Sequence, residues 1–323
     1  MTTIRNLGQE EEKSIKESLS ISPAFYHPGM QVTLENKKKF VINNEIQNYV
    51  EKGLIEDVDL VVLKTLFTYR YLTAYTLKCI ILNDKTILET CKRSNYKRRL
   101  SKLVSLGMAL RYRIRYLDED KIEHYTPCYY TLSKSSFDYT ARLYSAKISY
   151  GRALLYPGNP SPEDLIKGVV FNQFHAQFIS IYRDKLQNTY LNLIIKAGKQ
   201  KTSLYALYQM ATSIVSLKRI DLICIPVRKN PNYKKELLNT FSCISEYMKK
   251  DSALIKQPVF ILICEDGSHA REVNHLINQL NHPEPVLFTV DCSLLSSDML
   301  EKLFLVEELK NGDYRLLLQK LAF

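Results

Sequence analysis

An α/β fold in two parts is what this 323-residue sequence predicts, and three observations carry that prediction. Residues 94–116, SNYKRRLSKLVSLGMALRYRIRY, change their apolar period from about 3.6 to 2 after Gly107, so a basic amphipathic helix runs straight into a strand. Between 188 and 291, apolar runs suited to buried strands alternate with helical patterns, which implies a sheet with parallel pairs covered by helices. Positive charge is concentrated ahead of that region. Residues 58–150 carry 17 basic against 8 acidic side chains, a net of +9, whereas 1–57 sum to −2 and 151–323 to +4.

Taken in order, residues 1–55 read as a polar tail, with EEEK, a Pro-Gly pair, KKK at 37–39 and room for one short helix at VINNEIQNYVEKGL. The first folded domain is assigned to 56–150. VDLVVLKTLFTYRYLTAYTLKCIIL supplies two short helices separated at TYRYLTA, with Thr73 as the cap of the second and Leu72, Leu77, Ile80 and Ile81 turned inward. The third helix starts at a cap, Asn95 or Ser94, and ends at Gly107. It packs Tyr96, Leu100, Leu103 and Val104 and leaves Lys97, Arg98, Arg99 and Lys102 to its other faces. In the strand that follows, Arg111, Arg113 and Arg115 point one way and Tyr112, Ile114 and Tyr116 the other. LDEDKIEH is a polar turn and YTPCYYTL the returning strand.

Three helices followed by a hairpin is the order of a winged helix-turn-helix. In such a unit the third helix enters the major groove and the wing tracks the neighbouring phosphates. The residues expected at duplex DNA are therefore Asn95, Tyr96, Lys97, Arg98, Arg99, Lys102, Arg111, Arg113 and Arg115. A charged helix face or an arginine-bearing strand is ordinary solvated surface when met alone; the two in succession point to a polyanion. A further helix, SKSSFDYTARLYSAKISYGRALL, can be capped by Ser133.

YPGNPSPED, with three prolines, marks the passage into a second domain over 151–323, although PSPED is also a good helix start. NTYLNLIIKAG reads as a strand, SLYALYQMATSI as a helix or extended run, and RIDLICIPVR as a buried strand. YKKELLNTFSCISEYMKK is an amphipathic helix, PVFILICED a strand, SHAREVNHLINQLN a helix and PVLFTVD a strand. FLVEELKNGDYRLLLQKL carries an Asn-Gly turn between apolar arms, a hairpin signal.

Catalytic patterns are mostly lacking. A metal-dependent nuclease needs two carboxylates for its ion and a lysine beside the attacking water. The corresponding strand has Asp221 but Pro226 and Arg228 where the second acid and the lysine are wanted, so no catalytic residue is assigned. There is neither a GxxxxGK[ST] phosphate loop nor a GxGxxG turn, and the 22 tyrosines come without an HxH metal cradle. The polar stretch CEDGSHARE, with Glu265, Asp266, His269 and Arg271, is best read as a solvated strand-to-helix loop. Seven cysteines form no CxxC pair and mostly sit in apolar runs, so they are expected to be reduced core residues, with no metal and no cofactor. No run approaches the roughly 18 apolar residues needed to span a bilayer, and MTTIRNLGQEEEK lacks the apolar core of a signal peptide. The expected location is the cytoplasm.

TYRYLTAYTLK, then YKRRLSKLVSLGMALRYR and YYTLS, resembles the winged-helix pattern of the replication-relaxation or MobC-like mobilisation proteins of Gram-positive conjugative elements. RIDLICIPVRKNPNYKKELLNTFSCISEYM, QPVFILICEDGSHAREV and LFTVD resemble the degenerate PD-(D/E)XK nuclease-like domain of the same proteins, so the likeness covers about 58–295. The resemblance implies a non-catalytic accessory protein that binds duplex DNA at a transfer origin and helps assemble a relaxosome, with a relaxase and a helicase as partners. Pro226 and Arg228 depart from the nuclease pattern and imply a pseudo-nuclease. Two alternatives use the same residues: a winged-helix regulator of transcription or plasmid replication, and a divergent nuclease with Asp221 as one metal ligand.

Overall fold

A computed structural model describes residues 4–6, 29–36, 40–84, 91, 93–117, 121–144, 158–211, 219–250, 255, 258–280, 282, 284–295, 303–309, 313–319 and 321. The chain is mixed α/β and divides into two units, Tyr26–Ala176 and Met1–Phe25 with Gln177–Phe323. That division differs from the expected boundaries at 55 and 151. Part of the polar tail joins the middle unit, and the second boundary falls inside a helix, Pro162–Tyr182.

In the middle unit, β2 (Gln31–Leu34) is followed by α1 (Asn43–Glu51), α2 (Asp57–Tyr69), α3 (Ala74–Leu82) and α4 (Tyr96–Ser105). Then come β3 (Ala109–Leu117), β4 (Glu123–Tyr125), β5 (Tyr129–Leu132) and α5 (Lys134–Tyr144). Local chemistry places the helix ends. Thr73 Oγ1 accepts the Thr76 N–H at 3.1 Å to start α3, and Gly107, at φ +73°, supplies the left-handed turn that releases α4 into β3. The apolar stripes meet in one core, with Val62, Leu63 and Leu66 of α2, Leu77 and Ile81 of α3, and Leu100 and Leu103 of α4 all buried. Each such side chain contributes roughly 1.5–3 kcal/mol on burial.

Strand β3 is the hub of the sheet. It pairs antiparallel with β5 through Ala109–Tyr112, with β4 through Arg115–Leu117, and with β2 through Tyr112–Arg115. Leu72, between α2 and α3, bridges to Tyr130 of β5 and ties the helices to the hairpin. The helix at Pro162–Tyr182, α6, belongs to this unit as far as Ala176 because Asn172 Nδ2 donates to Tyr69 O (2.9 Å) and Tyr71 O (2.7 Å).

The other unit is an eight-stranded sheet. Its strands are β1 (Ile4–Asn6), β6 (Leu186–Ala197), β7 (Gln200–Ala211), β8 (Arg219–Pro226), β9 (Pro258–Cys264), β10 (Val286–Val290), β11 (Phe304–Glu308) and β12 (Tyr314–Gln319). Their order is β1-β12-β11-β10-β9-β8-β7-β6. Strands β8, β9 and β10 are parallel and every other pair is antiparallel. The stretch at 203–214, read as helix or extended run, is strand as far as Ala211, with 212–214 outside the described residues.

Helices α7 (Tyr233–Lys250) and α8 (Gly267–Asn278) make the parallel crossovers. They bury Leu237, Phe241, Ala270 and Val273 with Ile223, Phe260, Leu262 and Phe288 of the sheet. Burial of successive residues through the middle of β8 and along most of β9 is why those strands read as apolar runs rather than alternating ones. The predicted hairpin is present as antiparallel β11 and β12, and its Asn-Gly turn lies outside the described residues.

Candidate nucleic-acid interface

Helix α4 is built to hold its first turn still. Asn95 Oδ1 accepts the Arg98 N–H at 3.1 Å, which satisfies one of the four amide donors a helix start leaves open. Tyr96 is buried and donates its hydroxyl to Cys91 O; burial pushes that hydroxyl up to about 12. Tyr96 therefore packs the core and is withdrawn from the set of expected DNA contacts.

Arg99 and Lys102 turn out to face carboxylates. Arg99 Nη1 lies 2.6 Å from Glu56 Oε1 and 3.5 Å from Asp59 Oδ2, while Lys102 Nζ lies 2.7 Å from Asp59 Oδ2 and 3.3 Å from Glu56 Oε1. Hydrogen bonds from Arg99 and then Lys102 hold the Glu56 carboxyl down at about 2. Two cations meet two anions, so this side of the helix offers a phosphate no net charge. It pins α4 to the start of α2.

Lys97 and Arg98 remain. Both are exposed, and among the described residues no carboxylate pairs with either. Ser101 and Ser105 are exposed too, one and two turns further along the same side, and Arg93 is exposed just ahead of the cap. The result is a face of two cations and two small hydroxyl side chains with, among the described residues, no acid on it. Tyr75, 70% exposed, and Lys78 stand on the outer side of α3, where an apolar-pattern reading had no reason to select them.

The arginines of β3 alternate as expected, with Tyr112 and Ile114 buried behind them. Their charge is again met locally. Arg111 and Arg113 share Glu35, at 3.0 and 3.1 Å, and Arg113 Nε also donates to Cys128 Sγ at 3.3 Å. Arg115 Nη1 reaches Glu123 Oε1 at 3.0 Å and its Nη2 reaches Gln31 Oε1 at 2.5 Å. Three guanidinium groups thus face two carboxylates. Glu35 and Gln31 come from β2 and its end, in the stretch read as tail.

In the sheet unit, Asp221 is fully buried and makes a two-pronged pair with Arg219, Nε to Oδ1 and Nη2 to Oδ2 both at 2.9 Å. Arg228 is also fully buried, in a bidentate pair with Asp291 at 2.7 and 3.0 Å. Burial pushes the Asp291 carboxyl up while Arg228 pulls it back.

The loop after β9 is more enclosed than a solvated loop. Glu265 accepts the Lys229 N–H at 2.8 Å, Asp266 caps α8 by accepting the His269 N–H at 2.7 Å, and His269 Nδ1 accepts the Glu265 N–H at 3.2 Å. Burial, with Arg228 and Lys229 nearby, lowers the His269 ring to about 2, so it is neutral. These groups stitch strand ends together. Among the described residues no three His, Cys, Asp or Glu side chains are grouped to hold a metal ion. Set beside family models, curated proteins and solved structures, the chain matches none of them.

Proposed function

We propose that the middle unit is a winged helix that binds duplex DNA, and that the chain is a non-catalytic accessory factor acting at a transfer origin beside a relaxase and a helicase. The observation that carries the reading is the acid-free face of α4, with Lys97 and Arg98 over Ser101 and Ser105. Small polar side chains let a helix approach base edges closely, and the two cations supply phosphate contacts. The succession α2, the Leu72 bridge, α3, α4 and the β3–β5 hairpin supports the winged-helix assignment.

Within this reading the contact set is narrower than the sequence suggests. Lys97 and Arg98 meet the duplex, Asn95 holds their turn in place, and exposed Tyr75 and Lys78 of α3 reach the backbone. Arg99 and Lys102 position the helix through Glu56 and Asp59. Arg111, Arg113 and Arg115 organise the sheet face.

The sheet unit is proposed as a pseudo-nuclease. Asp221 is paired to Arg219 and Arg228 to Asp291, so neither is free to serve a metal-bound water. Fluorescence anisotropy with transfer-origin duplex against random duplex tests the assignment. Preferential binding of the origin supports it, and equal binding, or footprints confined to promoters, contradicts the transfer-origin role. Cleavage of supercoiled plasmid with Mg²⁺, abolished in Asp221→Asn, would contradict the pseudo-nuclease reading.

A further inference from the structure

The β6–β7 hairpin outruns the sheet it starts from. Strand β8 pairs with β7 only as far as Ala206, opposite Cys224, whereas β6 and β7 stay paired out to Ala197 and Gln200. The last stretch is therefore a two-stranded ribbon, closed by Gly198 at φ +61° in the first place of a two-residue turn. One of its faces rests on α7, where Thr202 Oγ1 lies 2.9 Å from Thr240 Oγ1 and Cys243 Sγ 3.8 Å from Ile195 O. The other is exposed at Lys196, Lys201 and Ser203.

Lys196 and Lys201 are direct cross-strand partners, so two ammonium groups share that face at a cost in stability. Lys199 is exposed in the turn, and Lys250 reaches over it from the end of α7, since a Cβ on Gly198 would lie 3.7 Å from Lys250 Nζ. Among the described residues no carboxylate forms an ion pair with any of these four. Residues 194–203 and 245–250 hold five lysines against one acid, Glu246, whose Oε1 receives Lys249 Nζ at 2.9 Å. Counting Asp251, next in the sequence, the balance is five to two. On α4 and β3, by contrast, Arg99, Lys102, Arg111 and Arg113 are each met by a carboxylate. Lysines on a free ribbon also keep it from pairing with another sheet. That purpose does not account for Lys250, brought to the turn from a helix.

The side chains around the charge decide the partner. Residues 194–203 include no aromatic ring and no exposed large apolar side chain. Protein interfaces are anchored by aromatic and arginine side chains and are poor in lysine, and a membrane surface is held by apolar insertion as well as charge. Unpaired bases need rings on which to stack. The phosphate backbone of a duplex needs only cations within reach.

We infer that the end of the β6–β7 ribbon, with Lys196, Lys199, Lys201 and Lys250, is a phosphate-binding surface that holds duplex DNA without regard to sequence. It gives the sheet unit a DNA contact of its own and stands whether or not α4 meets the duplex.

Fluorescence anisotropy of the full chain with a random-sequence duplex, over a salt series, tests it. Lys196→Gln/Lys199→Gln/Lys201→Gln should weaken binding about tenfold or more and lower the slope of log K against log salt by up to roughly 2.7, at about 0.9 per contact. Lys196→Arg/Lys199→Arg/Lys201→Arg should keep both, because charge alone is read. The glutamine variant should melt no lower than the parent, since a like-charge pair is removed. The same loss should appear in a Lys97→Ala/Arg98→Ala background, which separates this surface from α4. Duplex affinity and slope unchanged in the glutamine variant would overturn the inference, and so would their loss in the arginine variant or a loss that comes with a lower melting temperature. A parent chain that binds no duplex would overturn it too. So would a glutamine variant that keeps the duplex but no longer binds phosphatidylserine vesicles or polyglutamate, which would make the surface a membrane or acidic-protein contact.

Discussion

Replacing Asp59 by asparagine separates the charge that folds the middle unit from the charge proposed to meet DNA. Asp59 is 0% exposed, receives Lys102 Nζ at 2.7 Å and Arg99 Nη1 at 3.5 Å, and accepts the Glu56 N–H at 3.0 Å. Asparagine keeps an oxygen for that N–H but removes the anion between two cations. Breaking a fully buried pair costs about 3–5 kcal/mol. Here the side chains of Arg99 and Lys102 are 23% and 28% exposed and can turn partly to water, so a loss of about 2–3 kcal/mol is expected. At roughly 2–4 °C per kcal/mol, the transition of this unit should fall by about 5–10 °C in scanning calorimetry. Duplex affinity, read by anisotropy where the variant is folded, should not fall by more than about twofold, because no phosphate-facing cation is lost. An unshifted transition, or an affinity loss of about tenfold, would refute the reasoning.

Acid should destabilise both units through buried neutral histidines. Burial holds His269 down to about 2 and His175 to about 3, below the ordinary 6.5, so on acidification the unfolded chain takes up protons that the folded chain refuses. The stability each provides is full above pH 6.5 and is lost as pH falls towards the folded value, by about 2 kcal/mol at pH 5. Melts at pH 5 and 7.5 should show it, and His269→Gln should flatten the dependence of the sheet unit. Arg228→Leu alone should cost about 3–5 kcal/mol in urea unfolding, and Arg228→Leu with Asp291→Leu should recover most of it, because the loss comes from a stranded charge. Full additivity of the two would count against that. Gly168→Ala should destabilise the middle unit by about 1–3 kcal/mol, since the new Cβ would lie 2.9 Å from Cδ2 of Tyr71, a ring held in the core. An unchanged transition would mean that the ring moves aside.

What the sequence reveals and what it hides follow the range of the interaction. The change of period at Gly107, the Thr73 and Asn95 caps, the alternation of Arg111, Arg113 and Arg115 and the apolar runs of β8, β9 and β10 are all set within a few neighbours, and each is legible. The partners of the cations are not. Glu35 lies 76 residues before Arg111, and it reaches that side chain only because a strand from the supposed tail pairs with β3. Glu56 and Asp59 sit at the start of α2 and look like capping acids, yet the packing of α2 on α4 makes them counterions of Arg99 and Lys102. Counting basic residues thus overstates the proposed interface, because charge is additive along a sequence and cancels in space. Lys97 and Arg98 could be singled out only after their neighbours were accounted for.

The salt dependence of duplex binding tests the account most directly, compared between Lys97→Ala/Arg98→Ala and Arg99→Ala/Lys102→Ala. Each phosphate contact contributes about 0.9 to the slope of log K against log salt. The first pair should lower the slope by up to roughly 1.8 with the fold intact, and the second should leave the slope in place while lowering the melting temperature. Equal losses of slope in the two pairs, or parent binding that does not respond to salt, would contradict the claim that α4 meets DNA through its acid-free face.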